Sequence, residues 1–311
     1  MEIKDYFKAT TPKVGQRMKK IIRAQPKVFR PLMTFAFMRG GKRLRPVLCK
    51  LISDSLGGDS DKALTCGSIV EFVHAGSLAL DDLIDVDLKR RGLPSLWTVF
   101  GSGRSLFTSI TSFAGVIRVT AEMGGEYAGV AARALGELCE GGTLNLMLKE
   151  PNRADYMYMV ERKTGTLFKA ACEFGSMCAG AKGGTKEAFM IYGRSLGMAY
   201  QLTDDLTSLW RTLDTGKPQE DFKQRQLSFP MVIAGGAEIK EFLDGRLGWK
   251  EVVNHIGQSG AEEACRAEIR KYIEIAKAHI PKVKREFRPL LEEFPRFAAN
   301  ALAAEADRKV I

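Results

Sequence analysis

The feature that most constrains this chain is a helical spacing of apolar residues that runs almost without interruption. Leu64, Ile69, Val70, Val73, Leu78 and Leu80 recur at helix-like intervals across 61–86. Segments 95–122, 126–148, 163–181 and 185–212 repeat the pattern. Apolar residues at such intervals give a helix one buried stripe, which must pack against other helices. The breaks are short and marked by Gly or Pro: Gly40-Gly41, Gly57-Gly58, Gly92-Leu93-Pro94, Gly183-Gly184, Gly216-Lys217-Pro218 and Gly235-Gly236. No convincing alternating strand and no fixed-period repeat is visible. The spacing predicts an all-α bundle of ten or more helices around a central cavity. No linker-like tract interrupts the 311 residues, so one domain over 1–311 is expected.

In such a bundle, function falls to polar residues that break the apolar stripe. The sharpest break is HAGSLALDDLIDVDLKRRG, residues 74–92. Asp81 and Asp85 lie four apart and share a helix face, with Asp82 beside them. Like charges at this spacing either form a solvated acidic helix end or gather around a cation. Oxygen-only donors without nearby His or Cys suit Mg²⁺ rather than zinc. A second acidic pair, Asp204-Asp205, follows another apolar run, with Gln201 one turn earlier. Two such pairs facing each other across a cavity could hold divalent ions and a diphosphate.

Cationic elements accompany the acids. GGKRLRP, residues 40–46, offers Lys42, Arg43 and Arg45 after two glycines; it is either a phosphate-binding loop or an ordinary helix start. Lys163-Thr164 supplies an ammonium and a hydroxyl, and Lys217 a mobile cation. His74, two turns before Asp81, either is a core residue or points to a second phosphate. The net charge of +10 suits polyanions, anionic lipid or phosphorylated substrates. The basic residues are scattered rather than interleaved with aromatics, which argues against nucleic acid. The six cysteines form no CxxC pair and read as buried or semi-buried thiols of a reducing cytoplasm. No uninterrupted apolar run approaches the ~20 residues that span a bilayer.

Together these motifs resemble the trans-type isoprenyl diphosphate synthases (polyprenyl synthetases), from about residue 38 to 235. GGKRLRP is similar to that family's first basic motif, DDLID to its first aspartate-rich motif with the following RRG, RKTGTLF to its Lys-Thr motif, and YGRSLGMAYQLTDD to the approach to its second aspartate-rich motif. The resemblance implies an isoprenoid synthase-like fold and a Mg²⁺-dependent prenyltransferase. An allylic prenyl diphosphate would ionise, isopentenyl diphosphate would attack the cation, and loss of a proton would leave a trans double bond. It also implies roles: Asp81, Asp82, Asp85, Asp204 and Asp205 for metal, and Arg90, Lys163 and Lys217 on the allylic diphosphate with Gln201 in support. Lys42, Arg45, His74 and Arg91 would hold isopentenyl diphosphate, and Thr164 belongs to the Lys-Thr motif. A homodimer is the implied assembly, and peripheral membrane contact through the basic surface is an additional expectation.

The chain departs from the pattern around the second motif. Ser208 stands where a third Asp is usual. Gln226 replaces a cation, which Arg225 could supply instead. Ser109-Ile110 replaces a Gly-Asp, and Gly141-Gly142 with Asn145 replaces a Gly-Gln with a following Asp. These changes define an alternative: a weakly active or non-catalytic regulatory subunit of a heteromeric synthase. In the family, bulky residues four and five positions before the first motif cap the product tunnel. Ser77 and Gly76 stand there, so a product longer than farnesyl diphosphate, geranylgeranyl or beyond, is implied, with Phe72, Val73, Phe107, Thr111 or Phe113 as deeper plugs; the other reading of Gly76 is that it only permits close helix packing. A terpene cyclase would need neither GGKRLRP nor RRG.

Overall fold

Helices start and stop where the sequence supplies caps. Asp59 accepts hydrogen bonds from the backbone N–H groups of Asp61 (3.0 Å) and Lys62 (2.9 Å), satisfying donors that a helix start leaves unpaired. Asn152 does the same for Ala154 and Asp155. A computed structural model describes residues 1–150 and 152–303. Its described residues form sixteen α-helical segments, one 3₁₀ turn, one π-helical turn and a single two-stranded ribbon. The all-α architecture expected from the apolar spacing is what forms.

The chain divides into two compact units, each built from three separated segments: Met1–Leu135, Ala170–Glu187 and Lys282–Arg288 in the first, and Gly136–Lys169, Ala188–Pro281 and a segment from Pro289 in the second. The first unit opens with α1 (Ile3–Arg23), α2 (Arg30–Phe37), α3 (Leu44–Leu56) and α4 (Ser60–Ile84). Strands β1 (Lys89–Arg90) and β2 (Leu93–Pro94) pair antiparallel, with Lys89 opposite Pro94 and Arg90 opposite Leu93. Then come α5 (Leu96–Phe100), α6 (Ser102–Met123) and the start of α7 (Gly125–Met147). The first unit also takes most of α9 (Thr166–Cys178) and the first residues of α10 (Gly183–Thr215). Helix α4 is its centre, packing on α1, α2, α3, α5 and α6. Phe37 and Phe72, both buried, meet edge-to-face at 5.2 Å in its core.

In the second unit, α8 (Arg153–Val160) passes through a π-helical turn (Glu161–Gly165) into α9, and α10 carries the second acidic pair. Short helices α11 (Glu220–Lys223), α12 (Phe229–Ala234) and α13 (Gly236–Leu243) lead to α14 (Trp249–Gln258), α15 (Ala261–Ala278) and α16 (Arg288–Ala303). Its core joins Tyr156, Leu202, Leu206, Trp210, Phe229, Phe242 and Ile269.

Three local readings are corrected. The helix expected over 95–122 is broken by Gly101, whose φ of +86° ends α5. The segment expected to begin at 163 is already helical from Arg153. The ribbon at 89–94 is too short for any alternation to show. Among the described residues one helix, α4, is long and apolar enough to cross a membrane by composition, although interrupted by polar residues; 67% of its apolar window is buried in the protein, as a core helix requires. Of the cysteines, Cys139 is exposed and the other five are buried.

Candidate active site

In the first unit, α4 delivers the first acidic group at its C-terminal end. Asp85 is the C-cap, and its N–H donates to the Asp81 carbonyl at 2.8 Å. Carboxylates at this end oppose the helix dipole, so cations are needed nearby. The chain then reverses through Val86, at φ +57°, and β1 returns Arg90 to the acids. Arg90 Nε donates to Asp82 Oδ1 at 2.6 Å, and its Nη2 also contacts Asp82 and lies 3.6 Å from Asp87. Asp82 is buried, whereas Asp81 and Asp85 keep exposed surface. The three acids expected to share one role therefore divide. Asp82 is turned to Arg90, and Asp81 and Asp85 are the more accessible oxygen donors.

The basic motif divides too. Arg43 sits left-handed at φ +51° as the N-cap of α3, a strained position for a residue with a side chain. Its guanidinium is buried, donating to Glu71 and to the Phe37 carbonyl, both at 2.7 Å. Arg43 is thus a structural cation. Arg45 is buried and Lys42 half-buried. His74 lies on α4 beneath them. Burial, followed by the charges of Arg45, Arg91, Arg43 and Arg90, lowers its pKa well below the usual imidazole value. His74 is therefore a neutral hydrogen-bonding group at physiological pH. With Arg90 and Arg91 it lines a cleft with about 50 Å³ of room, whose lining does not include Lys42 or Arg45.

Gly76 and Ser77 do not stand together beneath this cleft as open space. A side chain at Gly76 would come within 3.0 Å of the Phe113 ring and 3.4 Å of Ser112 on α6. Gly76 therefore permits close packing of α4 on α6, the packing role that stood beside tunnel depth for this glycine. Ser77 Oγ donates to the His74 carbonyl at 2.9 Å. Of the proposed plugs, Phe72 and Val73 are core residues and Phe107 is exposed. Ser109 is buried against Ser105 within α6, and Ile110 is exposed.

In the second unit, Asp204 is exposed and Asp205 buried. Asp205 Oδ1 accepts from Gln201 Nε2 (2.9 Å), and its Oδ2 accepts from the Phe229 N–H (3.0 Å) and the Tyr156 hydroxyl. Both oxygens are engaged, tying α10 to α8 and α12. Burial, then the Asp221 charge, pushes its pKa up to about 7 against these hydrogen bonds. Asp205 is thus a hydrogen-bonded core carboxyl, whereas Asp204 beside it keeps exposed surface. Ser208, one turn later, remains partly exposed.

Lys163 and Thr164 sit in the π-helical turn, a local widening often found at functional sites. Thr164 Oγ1 donates to Gln201 Oε1 at 2.7 Å, so Gln201 links the turn to Asp205. The turn lies against α7 at Gly141, where a Cβ would come within 2.3 Å of the Lys163 nitrogen. Only glycine fits there. Glu137, one turn earlier on α7, accepts from Lys169 (2.9 and 2.7 Å) and Thr166 (2.6 Å) and pairs with Arg162 (3.1 Å). Burial opposes ionisation of Glu137, but these donors outweigh it and hold its carboxyl below the usual range. No sequence motif pointed to Glu137; its spacing from Gly141 is the only cue.

Lys217 is exposed in the loop after α10. Arg225 does not supply the missing cation. Its Nη1 donates to the carbonyls of Phe242 and Leu247 (2.9 Å to the latter), and its guanidinium lies 4.9 Å from the Phe242 ring centroid. It closes the C-terminal end of α13, and Gln226 stands without a replacement at Arg225.

Among the described residues, no three acidic, imidazole or thiol side chains form a preformed metal shell. An ion that takes one or two carboxylates and fills its octahedron with water and phosphate needs no such shell. Asp81 and Asp85, one turn apart and reachable, fit that demand.

Comparison with known proteins agrees with this fold and these motifs. Residues 25–255 match the family model described as Polyprenyl synthetase, and the chain belongs to that family. It is 33% identical to a (2E,6E)-farnesyl diphosphate synthase of Mycobacterium tuberculosis over 202 residues, covering 61% of this chain and 56% of that protein. The chain thus spans little more than half the length of that relative. It is 27% identical to a geranylgeranyl pyrophosphate synthase of Geoglobus acetivorans over 293 residues, 89% of this chain and 91% of the other. The crystal structure of a polyprenyl synthase from Caulobacter crescentus, complexed with calcium and isoprenyl diphosphate, superposes with a TM-score of 0.85 at 27% identity, covering 95% and 97% of the two chains.

Proposed function

We propose that the protein elongates an allylic prenyl diphosphate with isopentenyl diphosphate, and that residues 1–311 act as one functional domain. The observation that carries this reading is the repeated arrangement at the two acidic pairs: one carboxylate fixed in the scaffold and its neighbour left with exposed surface, with Arg90 against the first pair. Asp81, Asp85 and Asp204 are the carboxylates that would hold Mg²⁺. That ion supplies charge neutralisation for a diphosphate leaving group. The chain's own residues bind and orient the substrates. Arg90, already paired with Asp82, can share its guanidinium with an allylic diphosphate; in the second unit Lys163 and Lys217 are the cations suited to a diphosphate, and Thr164 holds Gln201 in place. Lys42, Arg45, Arg91 and neutral His74 hold isopentenyl diphosphate. The buried α4 wall excludes water, which strengthens every charge interaction at the diphosphate.

We propose a product of geranylgeranyl length or longer, supported by the relative that matches along nearly the whole chain and by the small side chain at Ser77. Gly76 no longer contributes to that inference. A homodimer is supported by an apolar surface on the first unit, where Val28, Phe100 and Phe107 line a hollow of about 540 Å³ and Val99 and Ile110 stay exposed; sedimentation should give twice the chain mass. A cytoplasmic protein with peripheral contact to anionic membranes fits the basic charge and the free thiols, five of them buried. Arg225's engagement with carbonyls favours one alternative, a regulatory subunit with a weakened second motif. The deciding experiment is chromatography of products from labelled isopentenyl diphosphate with dimethylallyl, geranyl and farnesyl diphosphate, with and without Mg²⁺. Products longer than farnesyl uphold the proposal. An inert protein that activates a partner chain upholds the alternative.

A further inference from the structure

The cleft in the first unit is lined by four arginines, Arg39, Arg43, Arg90 and Arg91, against two acids, Glu71 and Asp82. Arg43 is paired with Glu71 and Arg90 with Asp82. The lining therefore carries two positive charges more than negative ones, an anion-binding balance. Arg39 belongs to no motif quoted above, yet its placement is specific. It lies between α2 and the Gly40-Gly41 turn, with its guanidinium carbon 3.8 Å from the centroid of the Phe35 ring. Phe35 is itself held edge-to-face by Phe100 at 5.2 Å. Stacking fixes the plane of a guanidinium while leaving its edge donors available. Nη1 of Arg39 is buried with no hydrogen-bond partner, a costly state for a charged donor unless an acceptor arrives. Arg91 reaches the same loop, its Nη1 donating to the Arg39 carbonyl at 3.4 Å, so the backbone of one arginine steadies the side chain of the other.

We infer that Arg39 is a further binding residue of this cleft, a ring-stacked guanidinium that donates from its edge to the diphosphate of isopentenyl diphosphate. The inference rests on the function proposed above and deepens it. The shared chemistry is a diphosphate, which could come from isopentenyl diphosphate, from the allylic substrate or from released pyrophosphate. The experiment separates these sources. Isopentenyl diphosphate and inorganic pyrophosphate are titrated calorimetrically into the intact wild-type protein, Arg39→Gln and Arg39→Lys, and KM for both substrates is measured. Loss of a charge-assisted contact should weaken isopentenyl diphosphate and pyrophosphate by about ten- to a hundredfold in Arg39→Gln. KM for the allylic substrate and kcat should stay within about twofold, and the melting temperature should hold. Arg39→Lys should recover only part of the loss, because an ammonium keeps the charge but not the flat fork. Unchanged binding in Arg39→Gln, an equal loss for the allylic substrate, an effect on isopentenyl diphosphate without one on pyrophosphate, or full rescue by lysine would each overturn the inference while leaving the proposed function standing. Failure of the wild-type protein to bind or use isopentenyl diphosphate would instead defeat the function, and this inference with it.

Discussion

In the first compact unit the acidic pair closes a helix; in the second it lies well inside one, with α10 continuing to Thr215. In both, the second aspartate of the pair is buried and engaged, and the first keeps exposed surface. The partners differ. Asp82 meets a guanidinium whose side chain is 37% exposed. Asp205 meets a phenol, an amide and a backbone N–H deep in the core. An adjacent Asp-Asp pair on a helix points its two side chains about 100° apart, so one packed helix can use one acid as scaffold and present the other. The first unit can exchange the partner of its scaffold acid with solvent or substrate, whereas the second cannot.

The strongest test of this division is to remove the accessible acids. Asp81→Ala and Asp204→Ala should each lower kcat by about a hundredfold to ten-thousandfold, in line with several kcal/mol of charge stabilisation, and leave the melting temperature almost unchanged. A stability loss as large as the catalytic loss would break the comparison.

The scaffold acids should separate by stability. Asp205→Ala leaves the Tyr156 hydroxyl and the Phe229 N–H without their acceptor and should cost about 2–4 kcal/mol. Asp82→Ala frees a partly exposed arginine and should cost about 1 kcal/mol. Denaturant titration of both variants measures the difference; equal costs would mean that the depth of the partners is immaterial.

His74 sharpens the description of the first unit. Because its imidazole is held neutral, His74→Gln preserves a hydrogen-bonding group and should change KM for isopentenyl diphosphate by about threefold or less. His74→Phe removes that group and should raise KM by about tenfold, the worth of one hydrogen bond. A large loss in His74→Gln would require a charged imidazole.

The smallest expected effect lies on the π-helical turn of the second unit. Glu137 has a folded-state pKa below its unfolded value, so its contribution to stability is present above the unfolded value and is lost as pH falls through the folded one. Thermal melts of the wild-type protein should therefore decline below about pH 4.5, and Glu137→Gln should flatten that decline while loosening Lys163. Identical acid limbs in the two proteins would remove Glu137 from the account.

Much of the site was legible because its residues break a pattern: acids and basic clusters stand out against apolar helix stripes. The π-helical turn was not legible, since it has no compositional mark, and neither was the burial of Asp205. Arg225 looked like a spare cation because charge is visible in a sequence and its hydrogen-bond partners are not. Gly76 looked like empty space for the same reason, while the ring that fills that space comes from Phe113, 37 residues later.

By itself the sequence determined the all-α class, the approximate extents of the long helices α4, α7 and α10 and the order of acidic and basic groups, because helix periodicity and glycine breaks act over a few residues. Only the tertiary structure decided which acid of each pair is scaffold, which arginine is consumed by Glu71 and which is left stacked on Phe35. Those outcomes depend on partners brought together by packing, and burial sets the cost of leaving any one of them unpaired.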